Sequence, residues 1–397
     1  MIHVLFAWEL GGGWGHLAPI AALAKEFRRR GHAVGVALRD LSHVARLLDP
    51  RLIACYQAPQ QIRRPQPARE PVLSLADIYD NEAFAEERAI TARVQAWCQL
   101  FDFAKADVVI CDHSPTAMLA ARCRNVKTIG MGTGFFLPPD ERPWPAFSTS
   151  EAQDAKQERT QRESMLVERL NAVLRRWHAP ELRQLSDLQA ECRRRTLLTR
   201  PELDHYGPRA SGDYFPLQVA ATPTTQQTGD VRRAEVFAYL KHRPEMLRLI
   251  EFLRQQRRRV EIVLDGAAPE LAESLSDDWL HVLAHPVDLA RILPHIRFAV
   301  LNGNHATTLD VLAAGKPCWQ VPLTTEQRSL SQRAAATGAC MMSSAQDSRQ
   351  WPLAWGKLIA GDTCARAAGE LAARWSCDAQ SFTVERLVDD WVAALES

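Results

Sequence analysis

Three stretches of the chain carry residue types whose spacing could support chemistry. Gly11-Gly12-Gly13-Trp14-Gly15-His16-Leu17-Ala18-Pro19 follows an apolar run and opens a helical pattern. Glycines let the chain turn sharply there and let a ligand approach the backbone. An imidazole with an ordinary pKa of about 6.5 suits removal of a proton from a hydroxyl at neutral pH. Taken singly, His16 reads equally as a helix-capping or packing residue. Asp107-Val108-Val109-Ile110-Cys111-Asp112 ends an apolar run on a carboxylate. A carboxylate beside an imidazole fixes its tautomer and stabilises the imidazolium. Asp112 is also a good N-cap for a helix beginning near Pro115, and the sequence leaves both readings open.

The third stretch, Asn302-Gly303-Asn304-His305-Ala306-Thr307-Thr308-Leu309-Asp310, runs on to Gly315-Lys316-Pro317. It joins an apolar strand, a glycine turn, a helix, a glycine stop and a proline before the next strand. Backbone N–H groups and hydroxyls at such a helix start can hold a diphosphate without a metal. Asp310, on the first turns, can accept from vicinal hydroxyls such as those of a ribose. Thr325-Glu326-Gln327 then opens another helix. A carboxylate and an amide there could read sugar hydroxyls, although Glu in a first turn is also favourable dipole chemistry.

These stretches must be positioned by the elements around them. Short apolar runs alternate with longer helical patterns, the mark of βαβ units about a parallel sheet. Strands are expected at His3–Trp8, Ala33–Leu38, Leu52–Tyr56, Asp107–Cys111 and Val126–Met131. A second series is expected at Glu235–Leu240, Val260–Leu264, His281–Ala284, Phe298–Leu301 and Cys318–Val321. The first helix presents Leu17, Ile20, Ala21, Leu23, Ala24 and Phe27 at helical spacing before Gly31 stops it. Residues 58–72 and 137–150 read as proline-rich loops. The span 151–195 reads as mostly helical, with Met165, Leu166, Leu170, Val173 and Leu174 as an apolar stripe. Residues 218–232 are small, polar and turn-rich, as an interdomain linker is. The expected division is an N-terminal domain over 1–217 and a C-terminal domain over 233–380. A terminal amphipathic helix over 381–397 is expected to pack back towards the first domain.

A chain of 397 residues exceeds what one core usually organises. Its 48 basic and 47 acidic side chains nearly cancel, which gives no bulk electrostatic reason to expect nucleic acid as a partner. The arginine triplets at 28–30, 193–195 and 257–259 read as solvated helix ends, or as a patch for peripheral membrane contact. Nine scattered cysteines form no Cys-x-x-Cys pair, so no metal site is indicated and a reducing cytoplasm is expected. No stretch approaches the roughly 20 apolar residues of a membrane span.

In this order and spacing the three stretches resemble the UDP-glycosyltransferase superfamily of nucleotide-sugar glycosyltransferases. Gly13-Trp14-Gly15-His16 and Pro19 match its N-terminal pattern. Gly303, Thr307, Asp310, Gly315 and Pro317 match its C-terminal pattern, Glu326-Gln327 its later acidic–glutamine pair, and Leu289–Leu293 the short helix before the motif strand. The resemblance covers roughly 1–135 and 235–340. It implies an α/β protein of the GT-B class, two Rossmann-like domains facing each other across a cleft. It implies an inverting, metal-independent transferase with His16 as general base and Asp112 orienting it. It also implies no resident cofactor, a UDP-sugar or else a dTDP-sugar as co-substrate, and a small, partly apolar acceptor.

On this resemblance the donor site comprises Val287, Asn302, Gly303, Asn304, His305, Thr307, Asp310, Glu326 and Gln327. Trp14, Phe135 and Phe136, with Trp144, are candidate acceptor walls, each also readable as core. The sequence departs from the family pattern at Asn302 and Asn304, which replace a histidine and a glycine, and at Asp310, which replaces a glutamate. A glycine–serine turn is replaced by Ala238-Tyr239-Leu240-Lys241, where Lys241 reads as a phosphate partner or a surface lysine. Two other functions fit the fold: a non-catalytic nucleotide-binding or partner protein, suggested by the altered turn, and an epimerase acting on the nucleotide sugar. Retention of His16 and Asp112 argues against the first, and the lack of a further acid–base set in the second half argues against the other.

Overall fold

The computed structural model describes residues 1–61, 68–147, 153–219 and 234–396. It divides into two compact units, Met1–Pro201 with Pro208–Val219 and Phe382–Ser397, and Glu202–Gly207 with Ala220–Ser381. Most of the expected linker lies outside the described residues, as do parts of the two proline-rich loops.

In the first unit the chain runs β1 (His3–Trp8), α1 (Trp14–Arg29), β2 (Ala33–Leu38), β3 (Ala54–Gln57), α2 (Leu75–Glu82), α3 (Glu87–Ala104) and β4 (Val108–Asp112). It continues through α4 (Pro115–Arg124), β5 (Lys127–Gly132), α5 (Gln153–Arg176), α6 (Asp187–Ala190), β6 (Arg195–Leu197) and β7 (Asp213–Tyr214). The strands form one parallel sheet in the order β3-β2-β1-β4-β5-β6-β7. Both faces of β1 and β4 are buried, which is why they read as continuous apolar runs and not as alternating ones.

The second unit runs β8 (Val236–Lys241), α7 (Pro244–Gln255), β9 (Val260–Asp265), α8 (Pro269–Leu275), β10 (Leu280–Leu283), α9 (Leu289–Ile292), β11 (Phe298–Leu301) and α10 (His305–Ala313). Then come β12 (Cys318–Gln320), α11 (Thr325–Ala336), β13 (Cys340–Met342), α12 (Trp351–Ala360) and α13 (Asp362–Ser376). Its six parallel strands lie in the order β10-β9-β8-β11-β12-β13. Each sheet reverses its winding once, between β1 and β4 and between β8 and β11. Ligands of open α/β sheets bind beyond the strand ends at such a point.

The last helix, α14 (Val384–Glu396), belongs to the first unit. Leu387, Val388, Trp391 and Leu395 share a core with Phe6 and Phe27. The Trp391 indole donates to Thr196 Oγ1 at 2.9 Å and Lys127 Nζ to the Leu395 carbonyl at 2.6 Å.

Three strands, β6, β7 and β13, were not expected, because runs of two or three residues are too short to give a periodic signal. The expected third strand at Leu52–Tyr56 starts later: Leu52 is 59% exposed and Ile53 N bonds back to Asp49 O in a turn. Within 151–195 only α5 and α6 are helical among the described residues. Leu166, Leu170, Val173 and Leu174 are buried as a stripe, whereas Met165 is 52% exposed, one helical position off that face. Glu202–Gly207 joins the second unit because Leu203 is buried in its core and Ser329 Oγ donates to the His205 carbonyl at 2.9 Å.

Candidate active site

At the winding reversal of the first unit, Trp8 of β1 lies in register with Asp112 of β4. Leu10 N donates to the His113 carbonyl at 3.0 Å, so the two segments leave the sheet together. The glycine run then turns the chain into α1, placing His16 in its first turn. His16 Nδ1 lies 2.7 Å from Asp112 Oδ2, and the side chains are only 12% and 5% exposed. A carboxylate at that nitrogen favours the tautomer with its proton on Nδ1, which puts the basic lone pair on Nε2. Asp112 does not cap α4; the N-cap residue is Ser114.

The His16 ring lies between two aromatic walls. Trp8 stacks on it with centroids 5.1 Å apart, and Phe136 leans on it at 5.3 Å. The Trp8 indole is held by donation to the Leu10 carbonyl at 2.7 Å. Close by, buried Glu9 accepts from Thr116 N at 3.0 Å and from the Thr116 hydroxyl, with Arg93 Nη1 at 3.6 Å. Burial pushes the Glu9 carboxyl above its ordinary pKa, against the pull of Arg93 and Thr116. This pairing ties the end of β1 to the start of α4, which keeps the two strand ends in place.

Three buried polar atoms at this edge have no hydrogen-bond partner: Asp112 Oδ1, His113 Nδ1 and His113 Nε2. Buried polar groups are normally paired, so these three atoms call for partners that the described residues do not supply. Among the aromatic residues expected near the acceptor, Phe136 makes ring contact with His16. Phe135 stacks on Phe147 at 5.0 Å, and Trp14 stacks on His43 at 5.0 Å. Trp144 is core. Trp8, Glu9 and His113 were not anticipated; the signal they carried was their place at the last position of a buried strand or one residue past it.

At the reversal of the second unit the expected donor residues separate into two groups. Asn302 is fully buried; its Oδ1 accepts from Lys241 N at 2.7 Å and its Nδ2 donates to the Val321 carbonyl at 2.8 Å. Its second amide hydrogen points to Met246 Sδ at 3.0 Å, so Asn302 ties the ends of three strands together. Val287 is likewise core. Gly303, at φ +81°, is required by packing, since a Cβ there would lie 2.6 Å from the Gln327 carbonyl. Lys241 pairs with Asp265, which also accepts from the Tyr239 hydroxyl at 3.0 Å.

The second group is presented by α10 and α11. Asn304 precedes α10 as its N-cap residue, and His305, Thr307 and Asp310 follow, all partly exposed. Thr307 and Asp310 are three apart and share a helix face. Although part of His305 reaches the surface, the packing around its ring desolvates it and lowers its pKa to about 4, so it is neutral at physiological pH, and the ring stacks near His205 at 6.1 Å. In α11, Thr324 Oγ1 accepts from Gln327 N at 3.3 Å while Gln327 Oε1 accepts from Leu323 N at 2.8 Å. Part of the Gln327 side chain is therefore committed to holding the helix start, with Glu326 beside it in the first turn. Among the described residues no group of three or more His, Cys, Asp or Glu side chains could hold a metal ion, and no helix is long and apolar enough to cross a membrane.

No protein-family model matches the sequence, and no curated protein matches it. Solved structures do. The glycosyltransferase SnogD from Streptomyces nogalater superposes with a TM-score of 0.64 at 15% identity, over 99% of each chain. The glycosyltransferase VinC, solved in complex with dTDP, gives 0.69 at 15% identity over 99% of each chain. The spinosyn rhamnosyltransferase SpnG, complexed with thymidine diphosphate, gives 0.64 at 15% identity over 95% of this chain and 96% of its own. The chain has the GT-B fold of these glycosyltransferases.

Proposed function

We propose that the chain is an inverting, metal-independent glycosyltransferase that moves a sugar from a nucleoside-diphosphate carrier to an acceptor hydroxyl. The observation that carries this reading is the His16 Nδ1 to Asp112 Oδ2 contact of 2.7 Å at the winding reversal of the first sheet. His16 Nε2 removes the acceptor proton while Asp112 stabilises the imidazolium that forms. The acceptor oxygen then attacks the anomeric carbon, and the nucleoside diphosphate leaves with the bonding pair. Backbone N–H groups at the start of α10 and the Thr307 hydroxyl stabilise the departing charge, and Asp310 accepts from sugar hydroxyls. Glu326 contributes to donor binding from α11.

Thymidine and uridine diphosphates are the carriers to test, thymidine first, because two structural neighbours were solved with it. The acceptor is small and partly apolar, in keeping with Trp8 and Phe136 around the base. A cytoplasmic setting, in keeping with nine free cysteines, belongs to the same reading.

The test is calorimetric titration with dTDP and UDP, with and without EDTA, followed by transfer assays from the matching sugars to a panel of hydroxylated acceptors. Binding that survives EDTA, together with a His16→Ala variant that binds nucleotide normally but transfers about 10²- to 10⁴-fold more slowly, is expected. Failure of both nucleotides to bind, or full transfer by His16→Ala, would overturn the reading.

A further inference from the structure

His113 follows the orienting carboxylate and is not needed for the mechanism above. Its backbone is left-handed, at φ +45°, an unusual conformation for a histidine. Its ring lies flat on Phe136 with centroids 3.7 Å apart, and Tyr79 stacks at 6.0 Å. The residue is 94% buried, being 6% exposed; neither ring nitrogen makes a close, well-aligned hydrogen bond, and the Leu10 backbone is the polar group that faces the ring. Leaving a buried polar atom unpaired costs about 1–3 kcal/mol. A phenylalanine would stack on Phe136 as well without that cost.

A Cβ added to Gly11 would lie 2.8 Å from His16 Nε2 and 3.3 Å from His113 Nδ1. The Gly11 backbone therefore packs close against both the basic nitrogen of His16 and a nitrogen of His113, which face the same turn. Gly11 itself is exposed, with φ +81°, and Gly12 and Gly13 beside it are exposed too. A run of three glycines yields at little steric cost as a ligand arrives. Burial, reinforced by neighbouring His16, holds the His113 pKa well below the ordinary value. The ring is therefore neutral, with one N–H and one lone pair, able to meet either a donor or an acceptor.

We propose that His113 is a second contact to the acceptor, its Nδ1 taking a polar group adjacent to the hydroxyl that His16 deprotonates. The acceptor class this selects carries two neighbouring oxygen functions on an apolar frame: a vicinal diol, or a hydroxyl beside a carbonyl. The inference rests on the transferase reading for the role of His16, and its test separates the two.

The probes are catechol and phenol, which differ by the second oxygen alone. Their binding to the full chain, saturated with dTDP, is measured by calorimetry, and their glycosylation from a dTDP-sugar by steady-state kinetics. Wild type should favour catechol roughly tenfold, the worth of about one hydrogen bond. His113→Phe should erase that preference through catechol affinity and acceptor KM, leave dTDP binding unchanged, and keep or raise the melting temperature. His113→Asn, which tolerates the left-handed backbone and offers a polar atom near the Nδ1 position, should restore part of it. A preference that survives in His113→Phe, or no preference in wild type, overturns the inference even if transfer proceeds. A His113-dependent preference without any transfer would sink the transferase reading and leave the second contact standing.

Discussion

The two sheets reverse their winding in the same way, and both edges keep buried polar atoms without partners, Asn304 Oδ1 and Gln320 Oε1 at the second, but the side chains at the two reversals are differently engaged. Beyond β1 and β4, His16 and Asp112 are paired, and polar atoms of Asp112 and His113 are left buried without partners. Beyond β8 and β11, Asn302 has both amide groups bonded to backbone, and Lys241 is neutralised by Asp265. The first edge keeps unsatisfied side chains at a cost to stability, as sites poised for chemistry do. The second edge uses the Asn302 side chain to close the fold, while Asn304, His305, Thr307 and Asp310 stand partly exposed at the start of α10. A motif position thus tells which part of the fold meets the ligand before it tells which atom does.

The sharpest way to break this contrast is Asp112→Asn. The amide has the size of the carboxylate but cannot stabilise an imidazolium, and it favours the wrong tautomer of His16. The turnover rate should fall by roughly 10²-fold or more, while dTDP affinity and melting temperature stay near wild type. A comparable loss of nucleotide binding would mean that the first edge serves donor binding and that its separation from the second is wrong.

A smaller effect separates fold from ligand within the second edge. Asn302→Ala leaves Lys241 N and the Val321 carbonyl without partners at a fully buried position. It should cost about 3 kcal/mol of stability in denaturant titration. Asp310→Ala, at a partly exposed helix position, should leave stability within about 0.5 kcal/mol and weaken nucleotide or nucleotide-sugar binding. If Asn302→Ala lost affinity without losing stability, the structural role assigned to its amide would be wrong.

Much of the architecture could be read from the sequence because parallel strands buried on both faces are apolar runs, and the interiors of β1, β4, β8 and β11 are uninterrupted. The pairing of His16 with Asp112 was legible only as two strand-end residues; their 2.7 Å contact depends on the β1–β4 register, which no local pattern encodes. The structural bonds of Asn302 were not legible, because an asparagine beside a glycine turn looks the same whether its amide faces a ligand or the next strand. Short β6, β7 and β13 are held by neighbouring strands and not by their own pattern. The passage of Glu202–Gly207 into the second unit rests on one buried leucine and a few backbone bonds, which composition does not register. Trp8 and His113 escaped notice because a residue ending a buried strand looks like core until the edge it faces is known.

The last contrast between the two edges is their response to acid, and His305 gives it a measurable form. Burial lowers the folded-state pKa of His305 to about 4, against about 6.5 in an unfolded chain. The unfolded chain therefore binds the proton more readily, so the stabilisation this group gives is complete above about pH 6.5 and is lost as pH falls towards 4. Between pH 7 and pH 5 the loss amounts to about 2 kcal/mol. Replacement by a side chain that does not titrate, His305→Gln, should remove that part of the acid sensitivity. Native-state hydrogen exchange followed in α10 at the two pH values would detect it locally. The acid-induced opening of α10 should be smaller in the variant, while exchange in β4 and α4, beside His113, should change with pH as in wild type. Equal acid sensitivity of α10 in both proteins would mean that His305 is not desolvated at the helix start. That helix start would then be open to water and less suited to hold a diphosphate, because charge–dipole attraction weakens as solvent screens it.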